Sequence, residues 1–196
     1  MLRLVIAGCC LLGLSACVTR PPQPLRAPLP LSAWPVRSQA LQHANSWAMQ
    51  GRAAVAVGTQ GWQATLDWRQ RDTSSELHLA GPLGIGAQVI ASTPSGISVN
   101  GAAPGASALA QLQERLGFAL PVDDLRFWLL GVPNPGGAFE LTRNDQDRAL
   151  RLSQGDWSID YDRYTDSGGD VLPAHIVLTR GDIRVRIIVD HWDLRL

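Results

Sequence analysis

Alternation of apolar and polar side chains is the dominant pattern of the chain. In the clearest example, over residues 62–69, Trp62, Ala64, Leu66 and Trp68 share one face while polar and charged residues take the other. Successive side chains of a strand point to opposite faces, so this pattern predicts antiparallel strands with one buried and one solvated side. The predicted strands are 53–57, 62–69, 76–80, 87–91, 97–99, 139–142, 149–152, 157–164, 174–179 and 183–190.

Three segments have helical spacing instead. Residues 37–49 predict a first helix that includes Trp47, and residues 107–116 predict a second one that Ser107 is placed to cap. A third helix is predicted over 122–130. The order helix, strands, two helices, strands predicts an α+β fold with one curved antiparallel sheet or open barrel and helices packed at one end.

The amino-terminal segment has the parts of an export signal peptide. Arg3 precedes an apolar run that begins at Leu4 and closes on Leu-Ser-Ala-Cys at Cys17. The run is too short for a membrane span, which needs roughly 20 residues. Leu-Ser-Ala-Cys resembles a bacterial lipobox, in which the cysteine is acylated and the signal is cut before it. We therefore expect residues 1–16 to be removed and Cys17 to carry three acyl chains, enough for a stable anchor.

Residues 17–36 are rich in proline and hold little that would form a core. This composition predicts an extended tether between the lipidated cysteine and a single folded domain over 37–196. Val18 and Thr19 follow the cysteine at the place where an aspartate signals inner-membrane retention in many such lipoproteins. By that resemblance, we expect a lipid-anchored protein of the outer membrane that faces the periplasm.

Composition excludes several function classes. With the signal removed and Cys17 acylated, no thiol remains for disulfides, zinc–cysteine sites or a cysteine nucleophile. The 17 basic residues, all arginine, balance 17 acidic residues, so the chain has no basic field for nucleic acid. Without lysine, a phosphate loop and a Schiff base are excluded as well. The sequence indicates no metal or cofactor, and nothing in it suggests more than a monomer.

Candidate catalytic groups are few. Asp160 and Asp162 lie two apart on a predicted strand, and two neighbouring carboxylates are the catalytic groups that a paired-carboxylate hydrolase needs. A solvated strand edge explains the two aspartates more simply. The chain has no Gly-x-Ser-x-Gly elbow and no helical histidine pair with the spacing of a zinc site. We therefore predict that the protein is not an enzyme, with an anchored hydrolase as the less favoured alternative.

The apolar strand faces and one loop remain to be explained. The faces fit either an ordinary core or the wall of a cavity for a lipid-like ligand, and periodicity does not separate the two. In the loop Pro82-Leu83-Gly84-Ile85-Gly86, apolar side chains replace the usual polar turn residues. Either Leu83 folds back into the core, or it forms an exposed tip that inserts into a membrane or a protein groove.

An ordered set of short motifs resembles the LolB family of outer-membrane lipoprotein receptors. The set covers residues 47–192, nearly the whole folded part. The motifs are Gly51-Arg52, Trp62 to Trp68, Gly81-Pro82-Leu83-Gly84, Gly117 with Leu120-Pro121, Leu125-x-x-Trp128-x-x-Gly131-x-Pro133, Gln154-x-x-Trp157-x-x-x-Tyr161, Leu172-Pro173 and Asp190-x-Trp192.

The resemblance implies an open, unclosed antiparallel β-barrel with helices covering an apolar cavity. Such receptors accept acylated lipoproteins from the periplasmic carrier LolA and release them into the inner leaflet of the outer membrane, without ATP or metal. By its motif, Leu83 is the exposed leucine that the release step needs. The acyl-cavity candidates are Trp62, Leu66, Trp68, Leu77, Leu79, Trp128, Trp157, Ile159, Tyr161 and Ile187.

Two further expectations accompany this interpretation. The helices at 107–116 and 122–130 have leucine and tryptophan faces and would act as a lid that opens for acyl chains. The leading alternative is a lipid-anchored envelope assembly subunit that binds a protein partner through its apolar loop. A soluble carrier of the LolA type would share the fold but is disfavoured by Cys17.

Overall fold

The computed structural model describes residues 34–194, which form three helices and ten strands. The helices are α1 (Trp34–Gln42), α2 (Ala106–Leu116) and α3 (Val122–Trp128). The strands are β1 (Ser46–Val57), β2 (Gln60–Arg71), β3 (Ser74–Ala80), β4 (Gln88–Thr93), β5 (Gly96–Val99), β6 (Phe139–Arg143), β7 (Ala149–Gln154), β8 (Trp157–Ser167), β9 (Asp170–Arg180) and β10 (Ile183–Leu194).

All the described strands belong to one antiparallel sheet, in the order β5-β4-β3-β2-β1-β10-β9-β8-β7-β6. The edge strands β5 and β6 are not paired with each other, so the sheet stays open. Inward-facing apolar side chains of the strands form one core with the buried faces of the helices. The predicted open antiparallel α+β fold is therefore confirmed, and each predicted strand overlaps an observed one.

A bulge at Gly51 bends the centre of the sheet. The register between β1 and β10 shifts between Gln50 and Gly51. A Cβ atom on Gly51 would lie 2.3 Å from the carbonyl oxygen of Ile188, so only glycine allows the two strands to approach this closely. Bulges of this kind increase local twist and help a sheet to curl around a core.

The sheet has two distinct ends. At what we call the α1 end, β1 begins at Ser46 and the β8–β9 turn follows Ser167. At what we call the loop end, the β1–β2 turn follows Val57 and the loop 81–87 joins β3 to β4. The α2–α3 connection also lies at the loop end, because Gly117 approaches the side chain of Val57.

Tryptophans fill the core at the α1 end. The ring of Trp47 stacks on Trp68 with centroids 5.9 Å apart and planes 6° from parallel. Trp192 lies against the same ring at 5.6 Å, and its Nε1 donates a hydrogen bond of 2.9 Å to the carbonyl oxygen of Pro173. Leu41 of α1 is buried in the same core. The α1 end is thus closed by large side chains.

The prediction of one helix over 37–49 is wrong beyond Gln42. Trp47 and Ala48 lie in β1, which pairs along its length with both β2 and β10. Two full ladders of backbone hydrogen bonds outweigh the helical spacing of a few small apolar residues. The helix also begins earlier than predicted, at Trp34, within the segment 17–36 that was assigned to the tether.

The other two helices lie near their predicted positions, but Ser107 does not cap α2. The helix begins at Ala106 after Gly105, and no side chain makes the cap hydrogen bond. Ser107 is therefore inside the first turn. The predicted signal peptide, Cys17 and most of the predicted tether lie outside the described residues.

Candidate functional site

An apolar cavity lies between the concave face of the sheet and the α2–α3 connection. Its volume is about 40 Å³, room for only a few water molecules. Every lining side chain is apolar. The residues that line it are Ala53, Val55, Trp62, Leu66, Leu77, Leu79, Leu116, Phe118, Leu120, Pro121, Leu125, Trp157, Leu178, Val185 and Ile187.

The wall and the roof of this cavity come from different parts of the chain. Inward positions of β1, β2, β3, β8, β9 and β10 form the wall, as strand alternation requires. The roof is the end of α2, the connection after it and the start of α3, through Leu116, Phe118, Leu120 and Leu125. The ring of Phe118 meets Trp157 edge-on with centroids 6.0 Å apart, so roof and wall are in direct contact.

A wider groove opens beside the cavity at the loop end. Its volume is about 800 Å³, and Ala64, Pro82 and Ile85 are among its lining residues. The groove shares Trp62, Leu79 and Leu116 with the cavity. These shared side chains form the boundary between the enclosed space and the surface.

The loop after β3 displays apolar side chains to solvent. It is a 3₁₀ turn over Pro82–Gly84, closed by a 2.9 Å hydrogen bond from the Gly81 amide to the carbonyl oxygen of Ile85. Leu83 is 100% exposed and adopts φ 58°, a left-handed conformation that is uncommon for leucine. Ile85 is 72% exposed. The backbone holds Leu83 outward, which overturns the alternative in which this leucine folds back into the core.

The predicted cavity residues divide into two groups. Trp62, Leu66, Leu77, Leu79, Trp157 and Ile187 line the cavity. Trp68, Trp128, Ile159 and Tyr161 are also buried but do not line it. Trp68 belongs to the tryptophan cluster at the α1 end, and Ile159 fills the core. Trp128 lies on α3, and strand alternation placed the other three on the inner face of the sheet without giving their depth along the strands.

The two helices predicted as a lid contribute Leu116 and Leu125 to the roof of the cavity, but the sequence analysis missed the part that the connection between them plays. Phe118, Leu120 and Pro121 lie in a short connection that has neither helical nor strand periodicity. Three apolar residues within four positions directly after the helix-ending Gly117 were the available signal. Polar connections are the norm at protein surfaces, so an apolar connection indicates burial or binding.

Hydrogen bonds fasten α3 to the sheet. Gln154 is buried on β7, and its Oε1 accepts bonds from Trp128 Nε1 at 2.8 Å and from the Asn134 amide at 2.9 Å. Tyr161 donates its hydroxyl to the carbonyl oxygen of Trp128 at 2.9 Å. Asn134 Nδ2 donates to Asp124 Oδ1 at 2.6 Å. Trp128 and Tyr161 therefore hold the far end of α3 in place.

α2 is attached differently. Its buried residues, Ala108, Leu112 and Leu116, give it an apolar face toward the core. Among the hydrogen bonds of residues 34–194, none joins a side chain of α2 to the rest of the protein. Packing alone holds this helix, whereas packing and directional bonds together hold α3.

The candidate hydrolase carboxylates lie on the outer face of the sheet, away from the cavity. Asp160 accepts a bond from Arg151 Nε at 2.5 Å, and Asp162 is paired with His175 Nδ1 at 2.5 Å. Each carboxylate thus has its own basic partner. Within the part of the chain that the structure describes, no group of three His, Cys, Asp or Glu side chains is arranged to hold a metal ion.

Several of the ionisable groups with shifted pKa values lie near the α1 end. Burial lowers the pKa of Arg37, whose guanidinium donates to the carbonyl oxygen of Val171. Burial raises the pKa of Tyr161 and of Tyr164, and Tyr164 donates its hydroxyl to the carbonyl oxygen of Ala149 at 2.6 Å. These groups fasten α1 and β8 to their neighbours and do not face the cavity, whose lining is uncharged.

Among residues 34–194, no helix combines the length and the apolar character that a membrane crossing demands. Two apolar features stand out among these residues, the exposed loop after β3 and the enclosed cavity. Both lie at the loop end of the sheet, and the groove connects them.

A family model and the similar proteins that were found share one name. A family model described as "Outer membrane lipoprotein LolB" matches residues 45–192. A protein named outer-membrane lipoprotein LolB from Nitrosococcus oceani is 36% identical over 205 residues, covering 98% of each chain. Its namesake from Pseudomonas aeruginosa is 31% identical over 199 residues, covering 99% of this chain and 97% of that one.

The fold also matches a solved structure. A LolA superfamily protein from Nitrosomonas europaea superposes with a TM-score of 0.52, covering 81% of this chain and 94% of that one. The two sequences are only 10% identical, so this likeness concerns the fold alone.

Proposed function

The chain belongs to the LolB family of outer-membrane lipoproteins, and from this we propose that it is an outer-membrane receptor for acylated lipoproteins. It accepts its cargo from the periplasmic carrier LolA and inserts it into the inner leaflet of the outer membrane. Cys17, which lies outside the described residues, is the proposed lipid anchor. The proposed reaction is a transfer of cargo, with no bond made or broken.

One observation carries the proposal: an uncharged apolar cavity lies at the same end of the protein as a fully exposed leucine. The cavity offers a lining that suits acyl chains, and Leu83 offers an apolar contact for a bilayer. The groove beside the loop connects the two. An assembly subunit would account for Leu83 but would leave the cavity without a role.

The proposed transfer needs no external source of energy, because differences in affinity for acyl chains drive it. Each methylene group of an acyl chain costs about 0.8 kcal/mol when it is exposed to water, so free lipoprotein does not cross the periplasm unaided. A receptor that binds acyl chains more tightly than the carrier, and less tightly than the bilayer, moves them downhill. The apolar cavity supplies the first of these affinities.

The cavity must open before it takes cargo. At about 40 Å³ it is far too small for an acyl chain. Leu116 and Phe118 are the roof residues nearest to the end of α2. Since α3 is tied down through Trp128 and Asn134, whereas α2 is held by packing, α2 and the connection after it are the part that moves.

The proposed role of Leu83 is restricted to delivery. The side chain makes no contribution to the cavity lining and is fully exposed. Its insertion into a bilayer would bring the mouth of the groove, which Pro82 and Ile85 line, against the acyl region. Uptake takes place in water and does not require this contact.

The decisive test mixes an anchor-free form of the protein, residues 18–196, with a purified complex of LolA and a lipoprotein. Transfer of the lipoprotein to this protein, followed by pull-down, is the expected result. Cargo that stays on a carrier shown to be competent with another receptor would contradict the proposal. That result would favour the alternative of an assembly subunit. The next experiment would then look for a protein partner that binds the exposed loop.

A further inference from the structure

A second groove, which we call the Arg180 groove, borders the cavity between α3 and the turn that joins β7 to β8. Its volume is about 600 Å³, within the range of about 300–1,000 Å³ that is usual for sites of small molecules. It shares Pro121 and Trp157 with the cavity. A ligand seated in this groove would therefore lie next to the apolar space to which the proposed function assigns acyl chains.

The Arg180 groove is charged, whereas the cavity is not. Asp124, Asp156 and Arg180 are among the residues that line the groove. Its lining thus offers two carboxylates and one guanidinium, which leaves an excess of one negative charge. Asp124 Oδ1 accepts a hydrogen bond from Asn134 Nδ2 at 2.6 Å, so this carboxylate has only its second oxygen left for a ligand.

Arg180 and Asp156 carry opposite charges but do not pair with each other. The guanidinium of Arg180 lies over the buried ring of Trp157, with its Cζ 4.7 Å from the ring centroid, and this cation–π contact holds it in place. Throughout residues 34–194, no hydrogen bond or ion pair engages the side chain of Arg180 or Asp156. The donors of one and the acceptors of the other are therefore available to a ligand.

The chemistry of such a ligand follows from the two neighbouring spaces. A molecule that occupies both needs acyl chains at one end and charges of both signs at the other. The acylated cysteine of a lipoprotein does not meet the second requirement, because acylation removes the charge of its amino group and alkylation blocks its thiol. A zwitterionic phospholipid meets both requirements, since a phosphate and an amine follow directly on its two acyl chains.

We infer that the Arg180 groove binds the headgroup of a zwitterionic phospholipid with a primary amine, while the acyl chains of the same molecule enter the cavity past Trp157. This inference rests on the proposed function in one respect, the capacity of the opened cavity for acyl chains. Arg180 binds the phosphate, because charge-assisted bonds between guanidinium and phosphate oxygens are strong. Asp156 accepts hydrogen bonds from the ammonium group. Phospholipid and lipoprotein share the cavity, so they exclude each other.

The lining of the groove also selects among phospholipids. Its excess of negative charge disfavours phosphatidylglycerol, whose headgroup has a phosphate but no amine to neutralise it. A quaternary amine is recognised by a cage of aromatic faces. Trp157 is the one aromatic residue among the described lining residues, and Arg180 already covers it. A primary amine instead supplies three N–H donors, which suit the carboxylates of Asp124 and Asp156.

The test measures the binding of single lipids to the full-length, lipidated protein in detergent by native mass spectrometry. The probes are phosphatidylethanolamine, phosphatidylglycerol and diacylglycerol, each with the same two oleoyl chains. Diacylglycerol has no headgroup and so reports on the cavity alone. We expect the parent to bind one molecule of phosphatidylethanolamine saturably, and about tenfold more tightly than either of the other lipids, as one or two charged hydrogen bonds provide.

Two variants remove the charges of the groove. In Arg180→Gln with Asp156→Asn, the affinity for phosphatidylethanolamine should fall about tenfold, to the level of diacylglycerol. The affinity for diacylglycerol should stay within about twofold of the parent, since the cavity is unchanged. Asp156→Asn alone lies in an exposed turn and leaves the stack on Trp157 in place. It should weaken the binding of phosphatidylethanolamine and strengthen that of phosphatidylglycerol, because it removes a negative charge.

Arg184→Gln with Asp182→Asn is the matched control. It makes the same change of charge at the neighbouring turn between β9 and β10, and neither residue lines the groove. All three lipids should bind to this control as they do to the parent. A midpoint of unfolding in urea like that of the parent verifies that each variant is folded.

The outcomes separate this inference from the function on which it rests. If the parent binds the three lipids equally and the variants change nothing, the headgroup site is wrong while the cavity for acyl chains stands. If the parent binds none of them, the capacity of the cavity for acyl chains fails, and the proposed function fails with it.

Two further results bear on the variants. If the double variant loses diacylglycerol as well as phosphatidylethanolamine, the cavity itself is disturbed, and the selectivity of Asp156→Asn decides the question instead. If the double variant loses uptake of lipoprotein from LolA but binds phosphatidylethanolamine like the parent, the groove serves the peptide chain of the cargo. That result would overturn the inference.

Discussion

Gly117, at the end of α2, packs against Val57, at the end of β1. A Cβ atom on Gly117 would lie 3.8 Å from the Cβ of Val57, and φ of Gly117 is 81°. This contact joins the moving helix of the proposed lid to the edge of the sheet wall. The separation also matches that of the Cβ atoms in a disulfide, which is about 3.8 Å on average.

We therefore predict that the double variant Val57→Cys with Gly117→Cys locks the lid. In the anchor-free form no other cysteine is present, so oxidation joins only this pair. The closed cavity, about 40 Å³, would then admit no acyl chain. Transfer of lipoprotein from LolA, measured by pull-down, should be lost on oxidation and restored by a reductant.

Single variants control for the substitutions themselves. Gly117→Cys alone places a side chain in the left-handed region at a cost of about 1–2 kcal/mol, and it should still take up cargo under oxidising conditions. Full uptake by the oxidised double variant, with the disulfide verified by mass spectrometry, would show that this part of the roof need not move.

Leu83→Glu should block delivery and leave uptake intact. The side chain is fully exposed, so its replacement should change the free energy of unfolding by no more than about 0.5 kcal/mol. Burial of a leucine in an apolar phase is worth about 1.5–3 kcal/mol, so its loss should slow delivery about tenfold or more. Release of labelled lipoprotein into vesicles, measured by flotation, gives the rate.

Leu150→Glu is the matched control for this loop. Leu150 is 46% exposed and lies on β7, away from the loop. The control should deliver at the rate of the parent. Equal losses of uptake and delivery in Leu83→Glu would contradict a role confined to delivery, and equal losses in both variants would point to a general effect of surface charge.

The sequence predicted the strands well because a half-buried sheet imposes a period of two on side chains. Trp62 and Trp68 illustrate what this period predicts and what it does not predict. Both were placed on the inner face, as the structure has them, yet Trp68 stacks in the cluster at the α1 end and Trp62 borders the cavity. Periodicity gives the face of a strand, whereas depth along a curved sheet depends on register and turns elsewhere in the chain.

The first helix and the connection over the cavity are two places where the local sequence pattern did not predict the structure. Trp47 has helical spacing from its neighbours, but strand pairing on both sides decides its conformation. Phe118 has no periodic context at all, because it lies in a connection that is buried by tertiary packing. The apolar composition of the connection indicates that it is buried, but it does not tell which strands the connection packs against, and only the folded chain shows those contacts.

Gln154 should contribute strongly to stability through the bonds that fix α3. Replacement by leucine removes the acceptor of Trp128 Nε1 and of the Asn134 amide. A buried donor left without a partner costs about 1–3 kcal/mol, so Gln154→Leu should lower the free energy of unfolding by about 2–4 kcal/mol in urea titration. Ser153→Ala, on the same strand, should change it by less than about 0.5 kcal/mol. A loss below about 1 kcal/mol in Gln154→Leu would show that water replaces the lost acceptor.

Tryptophan fluorescence can locate a bound acyl chain, because the tryptophans occupy different depths. Trp62 and Trp157 line the cavity, whereas Trp47 lies in the stacked cluster at the α1 end. Bromine atoms quench tryptophan only at close contact, so a fatty acid brominated along its chain should quench the cavity tryptophans. The quenching should saturate with ligand concentration and should persist in Trp47→Phe. It should largely disappear in the double variant Trp62→Phe with Trp157→Phe. Quenching that depends instead on Trp47 would place the chain at the α1 end and contradict the assigned cavity.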